Sequence, residues 1–313
     1  MIDILMATYN GEKYLKKQIE SIIGQSFTEW NLIIRDDGST DGTLDILKRY
    51  ESAYPTKIHV RCNPVGTGSA KANFFKLLHD AQNEYVMFCD QDDIWNSDKI
   101  QLTLKKIKQM EKSYGTEIPL LVATDLSVAD AHGKTISNSF LEYMNLPKTV
   151  QLNHLLIQNN ITGCTVMINA KLCQMLKKVR DVELILMHDH FAAIVAVLYG
   201  KAELVQQSTL LYRQHETNSV GAMNAKSLKY MLARFKRGRK KFQQDIDDSM
   251  NQAGYVLRLY GKRYRIRSNY HKRLIMGYSR LINQTRMEKY NFYLKYHVFK
   301  HGWIRKIMQL IWS

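Results

Sequence analysis

The chain has 313 residues, 45% of them hydrophobic and 24% charged, with a formal net charge of +16. That length can bury one large core or two smaller ones, and the balance of residues is ordinary for a globular protein. No run reaches ~18 apolar residues, which excludes a spanning helix, and Cys62, Cys89, Cys164 and Cys173 lack CxxC or zinc-type spacing, so free thiols in a reducing cytosol are expected.

Ile2 to Ala7 is an apolar run that predicts a buried strand, with no basic or long apolar leader, so no cleaved signal peptide is expected. A polar turn follows, then a helix with Leu15, Ile19, Ile22 and Ile23 on one face. Trp30 to Arg35 predicts a second strand, after which Ser39 or Asp41 can cap a helix running to Tyr50. Ile58 to Arg61 is a short third strand, and beyond Gly66 and Gly68 a helix carries Phe74, Leu77, Leu78 and Ala81. Tyr85 to Cys89 is the fourth strand, and Asp98 caps a long helix with Ile100, Leu104 and Ile107 in register. Strands alternating with helices in this way predict βαβ units and a mainly parallel sheet. Beyond Leu120 the alternation loosens: Leu120 to Ala123 and Thr165 to Ile168 read as strands, while the segment holding Tyr143 and Pro147 has no clear assignment. Phe191 to Tyr199 reads as a buried helix opening just after His188-Asp189-His190.

The final segment is different in charge. Residues 225–313 carry 22 Lys and Arg against 4 Asp and Glu, a net of +18, whereas residues 1–224 carry 23 against 25, a net of −2. The division predicts a main domain over 1–224 and a helical, aromatic-rich appendage over 225–313, with an anionic surface or polymer as its partner. Its basic clusters include Arg234, Lys236, Arg237, Arg239, Lys240 and Lys241, and its end holds Trp303, Ile304, Ile307, Leu310, Ile311 and Trp312. An anionic bilayer is the preferred partner over nucleic acid, with an oligomer contact or a solvated face as the alternatives. The appendage is expected to anchor the protein without contributing to its chemistry.

Three polar clusters stand at the ends of predicted strands: Ala7-Thr8-Tyr9-Asn10-Gly11, Asp36-Asp37-Gly38-Ser39 and Asp90-Gln91-Asp92-Asp93. In a parallel α/β sheet such tips describe one ligand crevice. Tyr9 offers a flat face for a base, and an aspartate at a strand end can accept from a pyrimidine N3–H. Aspartates separated by one residue are hard ligands for Mg²⁺ or Mn²⁺, which bridge carboxylates to phosphates.

The order and spacing of these clusters resemble the inverting family-two glycosyltransferases with the GT-A fold, over roughly residues 1–220. The resemblance implies an α/β fold binding a nucleotide-diphospho-sugar, with Thr8, Tyr9 and Asn10 near the nucleotide and Asp37 on the base beside Ser39. It assigns Asp92 as the direct metal ligand and Asp90 to the ribose or to the metal through water. Asp189, about a hundred residues beyond the metal motif and opening a helix, matches the carboxylate that takes the acceptor's proton. His188 and His190 could instead form a metal site by themselves. Tyr212-Arg213-Gln214-His215, with Asn218 and Ser219, resembles a segment that places a histidine near the metal or diphosphate. Lys71 and Asn73 could approach the diphosphate or sugar, and Gly163 with Cys164 stands where relatives bring backbone close to the donor. Asp-Gln-Asp-Asp-Ile-Trp together with His-Asp-His-Phe resembles the rhamnosyltransferase-like branch, which implies a dTDP-rhamnose donor, with UDP-galactose, glucose or N-acetylhexosamine as the alternative. The implied acceptor is a lipid-linked surface glycan met at the inner face of the cell membrane. A nucleotidyltransferase is disfavoured because residues 1–40 lack a Gly-rich basic signature, and a degenerate binding module because Asp37, Asp90, Asp92 and Asp189 are intact.

Overall fold

The computed structural model describes residues 1–215 and 228–312, the side chains of 228–237 excepted; Asn218, Ser219 and the side chains of Arg234, Lys236 and Arg237 lie outside the described residues. The first half runs β1 (Ile2–Thr8), α1 (Glu12–Ile23), β2 (Trp30–Asp36), α2 (Thr43–Ala53), β3 (Ile58–Cys62), α3 (Ala70–Asp80), β4 (Tyr85–Cys89), β5 (Ile94–Trp95) and α4 (Lys99–Tyr114). Then come β6 (Leu120–Ala129), β7 (Thr135–Ser137), α5 (Phe140–Tyr143), α6 (Leu152–Leu155), β8 (Met167–Asn169), α7 (Ala170–Leu176), α8 (His188–Tyr199) and β9 (Lys201–Arg213). The last part is helical: α9 (Leu228–Tyr260), broken at Gly238, then α10 (Asn269–Arg280), α11 (Arg286–Tyr296) and α12 (Trp303–Trp312).

The strands form one sheet in the order β3-β2-β1-β4-β8-β6-β9-β5, with β7 on β6. β3, β2, β1 and β4 are parallel, so Thr8 and Asp36, which pair in register, end at the same edge as Cys89. β8 runs antiparallel between β4 and β6, whereas β9 is parallel to β6. Alternation along β1 divides its side chains between two cores. Ile2, Ile4 and Met6 pack with α1 and α4 on one face, and Leu5 packs with α3, α7 and α8 on the other. α8 is apolar nearly all round because it is enclosed nearly all round.

The expected helical C-terminal part is present, and its helices share a core with the rest of the chain. Phe242, Tyr255 and Tyr260 of α9, Tyr278 of α10, Tyr293 of α11 and Met308 of α12 are buried in the cluster that holds α3, α7 and α8. Tyr260 donates to the Met175 carbonyl at 2.8 Å, and the Tyr255 hydroxyl accepts from the Arg180 and Asp181 amides. The charge marks the outer side of these helices, whereas their inner side completes one face of the sheet.

Candidate active site

A cavity of about 920 Å³ opens at the carboxyl ends of β1, β2 and β4, within the size range of ligand pockets. Thr8, Tyr9, Asp37, Asn73, Asp90, Asp92, Gly163 and Asp189 all line it, so strand tips far apart in sequence meet as expected. Asn10, Ser39, Lys71 and His215 do not line it.

The first cluster is a hydrogen-bonded frame around Asp36, which is fully buried. Its carboxylate accepts from the Thr8 and Ser39 hydroxyls at 2.9 and 2.6 Å and from the Gly38 and Ser39 amides. Ser39 in turn accepts from the Asn10 amide, and the Asn10 side chain from the Thr40 amide. Tyr9 is left projecting at the rim, 57% exposed. Asp37 differs from its expected role as a free acceptor. Its two oxygens take four donors, from Asn63, the Thr67 amide and hydroxyl, and Gly68, which is the capacity of a carboxylate. In this arrangement Asp37 holds the 63–68 loop against the cavity, which Gly66 and Gly68 line.

The Asp90-Gln91-Asp92-Asp93 turn is tied on both sides. Gln91 clasps the Tyr9 backbone with its side-chain amide, accepting from its N–H and donating to its carbonyl, each at 2.9 Å. This clasp needs Gly11, where a Cβ would lie 2.3 Å from Gln91 Oε1. On the other side Arg213, 2% exposed, donates through Nε to the Asp92 carbonyl at 2.5 Å and through its terminal nitrogen to the Asp93 and Tyr14 carbonyls. Its guanidinium lies 4.7 Å from the Tyr14 ring, on which His215 stacks at 4.4 Å. His215 Nε2 reaches Asp92 Oδ2 at 2.8 Å, so the histidine expected near the metal is at the expected carboxylate.

Asp189 sits in the first turn of α8 with an oxygen accepting from the His190 amide and from Asn159. Burial pushes its carboxyl up to about 6, partly offset by those hydrogen bonds and by the Gly163 amide. Asp90 is pushed up to about 7, first by burial and then by the carboxylates of Asp92 and Asp189. Gly163 comes so close that a Cβ there would lie 2.8 Å from His188 Nε2. His188 stacks on Phe74 at 4.0 Å and burial pushes it down to about 3, while His190 faces the Leu155 carbonyl and Gln252. The two histidine rings therefore do not converge on one metal.

Two expected donor contacts are turned elsewhere. The Lys71 ammonium donates to the Ile185 carbonyl, away from the cavity. Asn73 borders the cavity but its side chain bridges Arg35 and Asn63. Other residues were missed. Lys300 and Arg305, from the segment entering α12, line the same cavity as Asp189. Arg305 is held there by donating to the Met144 and Asn145 carbonyls at 2.7 and 2.8 Å. Arg213 had a local signal, a cation closing the apolar run Leu210-Leu211-Tyr212, whereas Lys300 and Arg305 had none.

For a divalent cation, the described residues offer one converging group of three ligand atoms and one carboxylate–imidazole pair. Asp90, Asp93 and Cys164 have ligand atoms within 4.8 Å of one another, but burial raises both the Asp93 carboxyl and the Cys164 thiol toward their protonated forms. Asp90 and Asp92 line the cavity and His215 bonds to Asp92, so oxygen and imidazole ligands are available there, a chemistry that fits Mg²⁺ or Mn²⁺ better than one containing a thiol.

Residues 3–125 match the family model described as glycosyl transferase family 2. The chain is 30% identical over 274 residues to the dTDP-rhamnosyl transferase RfbG of Shigella flexneri, covering 83% of this chain and 89% of that one. It is 32% identical over 170 residues to the putative teichuronic acid biosynthesis glycosyltransferase TuaG of Bacillus subtilis, covering 54% and 62%. Among solved structures it superposes on TarS of S. aureus in complex with UDP with a TM-score of 0.57 at 18% identity, covering 91% of this chain and 73% of that one. A mannosyltransferase of Pyrobaculum calidifontis in complex with GDP-Man and Mn²⁺ gives a TM-score of 0.52 at 12% identity, covering 99% and 87%. These likenesses identify the fold as GT-A.

Proposed function

The chain belongs to the family-two glycosyltransferases, and we propose that it transfers a sugar, with inversion, from a nucleotide-diphospho-sugar to a lipid-linked surface glycan. The observation that carries this reading is the meeting of Asp90, Asp92 and Asp189 in one cavity, with Asp189 pushed toward neutral pH. Asp189 would take the proton of the acceptor hydroxyl as that oxygen bonds to the anomeric carbon, while the carbon–oxygen bond to the diphosphate breaks and the nucleoside diphosphate leaves with the electron pair. Asn159 and the His190 amide fix the carboxylate for that step. Tyr9 stacks on the base, and the loop held by Asp37 closes on the nucleotide. Asp92, Asp90 and His215 are the residues that would hold a divalent cation, which when bound supplies positive charge beside the leaving diphosphate. Arg213 and Gln91 keep the turn carrying those carboxylates rigid.

Rhamnose from dTDP-rhamnose is the donor reading, supported by the likeness to RfbG across most of both chains. The reaction is placed at the inner face of the cell membrane, where a lipid-linked acceptor and a cytosolic nucleotide-sugar meet. Calorimetry with Mn²⁺ tests the donor: dTDP-rhamnose should bind more tightly than UDP-glucose, UDP-galactose or UDP-N-acetylglucosamine. Tighter binding of a UDP-hexose would transfer the assignment to that sugar with the chemistry unchanged.

A further inference from the structure

We propose that the outer faces of α11 and α12 form one docking surface for an anionic lipid bilayer, lying in its interface without crossing it. Thirteen large apolar side chains are exposed among the described residues, and six of them are on these two short helices. On α12 they are Trp303, Ile307 and Ile311, spaced by four residues and so aligned as one stripe, with Met308 buried behind them. On α11 they are Met287, Tyr290 and Leu294, again one stripe, with Tyr293 buried behind. The stripes meet at one end, because Arg286 donates to the Leu310 and Ile311 carbonyls at 3.0 and 2.6 Å.

An apolar face alone does not identify its occupant; the charge does. Lys289, Lys295 and Lys306 stand on the same two helices against the single acid Glu288, within a segment of net +18. Two copies meeting here would bring two such segments together, which is unfavourable, whereas an anionic headgroup layer is attracted by each cation. No helix among the described residues is long and apolar enough to cross a membrane. Tryptophan at the edge of an aliphatic stripe, flanked by lysines, is the arrangement of an interfacial helix. Binding to lipid does not rest on the lipid-linked acceptor.

The test uses the full chain, without sugar or acceptor, sedimented with vesicles of phosphatidylcholine alone or mixed with phosphatidylglycerol. The wild type should bind the anionic vesicles and Trp303 fluorescence should shift to the blue. The combined variant Trp303→Ser, Ile307→Ser, Ile311→Ser removes only exposed groups. It should melt as the wild type does and bind at least about ten-fold more weakly. Lys289→Glu with Lys295→Glu and Lys306→Glu should abolish the preference for anionic lipid. Unchanged binding by either variant, or no binding by the wild type, overturns the proposal. A wild-type dimer that the serine variant converts to a monomer, with vesicle binding unchanged, would assign the face to a second copy instead. Because donor turnover is measured separately, failure here leaves the transferase reading standing.

Discussion

Removing residues 225–313 should unfold the protein rather than release a soluble enzyme. The sequence expectation was the reverse, an active core with its anchor cut off. In the structure Phe191 of α8 packs 6.0 Å from the Tyr255 ring and 6.3 Å from Tyr260, and Tyr199 lies 5.8 Å from Tyr260. Val179 and Ile185 belong to the same buried cluster. Truncation would uncover these four large side chains in part; complete exposure would cost roughly 1.5–3 kcal/mol each, so about 6–12 kcal/mol is the upper bound. That is the scale of a whole domain's stability, about 5–15 kcal/mol. It would also orphan the Leu186 amide, which donates to Gln252 at 2.8 Å just before α8. Circular dichroism and limited proteolysis of the 1–224 fragment measure the outcome. A soluble fragment with a cooperative melt near that of the full chain, still turning over donor, would refute the shared core.

Asp189→Asn should lower turnover by ~10²-fold or more while calorimetry shows donor binding little changed. If Asp189 is the base, it acts as a carboxylate, and because burial has raised it from 3.8 to about 6 the wild-type rate should fall as the pH drops below about 6; a profile flat well below that point argues for another base. Asp92→Asn should abolish transfer with the fold intact, as EDTA should in the wild type, and His215→Ala should weaken metal affinity or activity ~10–100-fold; wild-type metal titrations in the His215 variant would remove that residue from the site. Gly163→Ala places a methyl group 2.8 Å from His188 Nε2 and 3.6 Å from Asp189 Oδ2. It should cost about 1–3 kcal/mol in a melt and lower kcat, whereas a neutral result in both would mean that the 162–165 turn yields easily.

The parallel half of the fold was legible because β1, β2 and β4 are enclosed on both faces. Each therefore reads as a mostly apolar run, interrupted by Asp3 in β1 and by Asn31 and Arg35 in β2, that ends in the polar residues of the site. α1 and α4 announced themselves by periodicity, and α8 by its unbroken apolarity, although it opens at His188 rather than after His190. β9 was not recognised. Its middle, Val205-Gln206-Gln207-Ser208, slips register against β6 and is partly exposed, so neither apolar run nor alternation survives. The unassigned stretch around Tyr143 and Pro147 is mostly irregular and forms a wall of the cavity, bonded to Arg305 from 160 residues downstream. Carboxylates at strand ends could be placed because the strand fixes their direction. Lys71 could not, since a long side chain chooses between cavity and backbone by contacts that sequence spacing does not record. Charge misled most: the +18 segment was read as a separate surface element, while the buried aromatics spaced through it reveal a packed inner face only when α8 lies against them.

The most direct test of the account is donor turnover by the purified full chain with dTDP-rhamnose and Mn²⁺, measured as release of dTDP in the absence of acceptor. Slow release that stops in EDTA and in Asp92→Asn, and resumes in the wild type when Mn²⁺ or Mg²⁺ is restored, is the predicted result. Release that continues unchanged in EDTA and in Asp92→Asn would contradict the metal-assisted transfer on which the account rests.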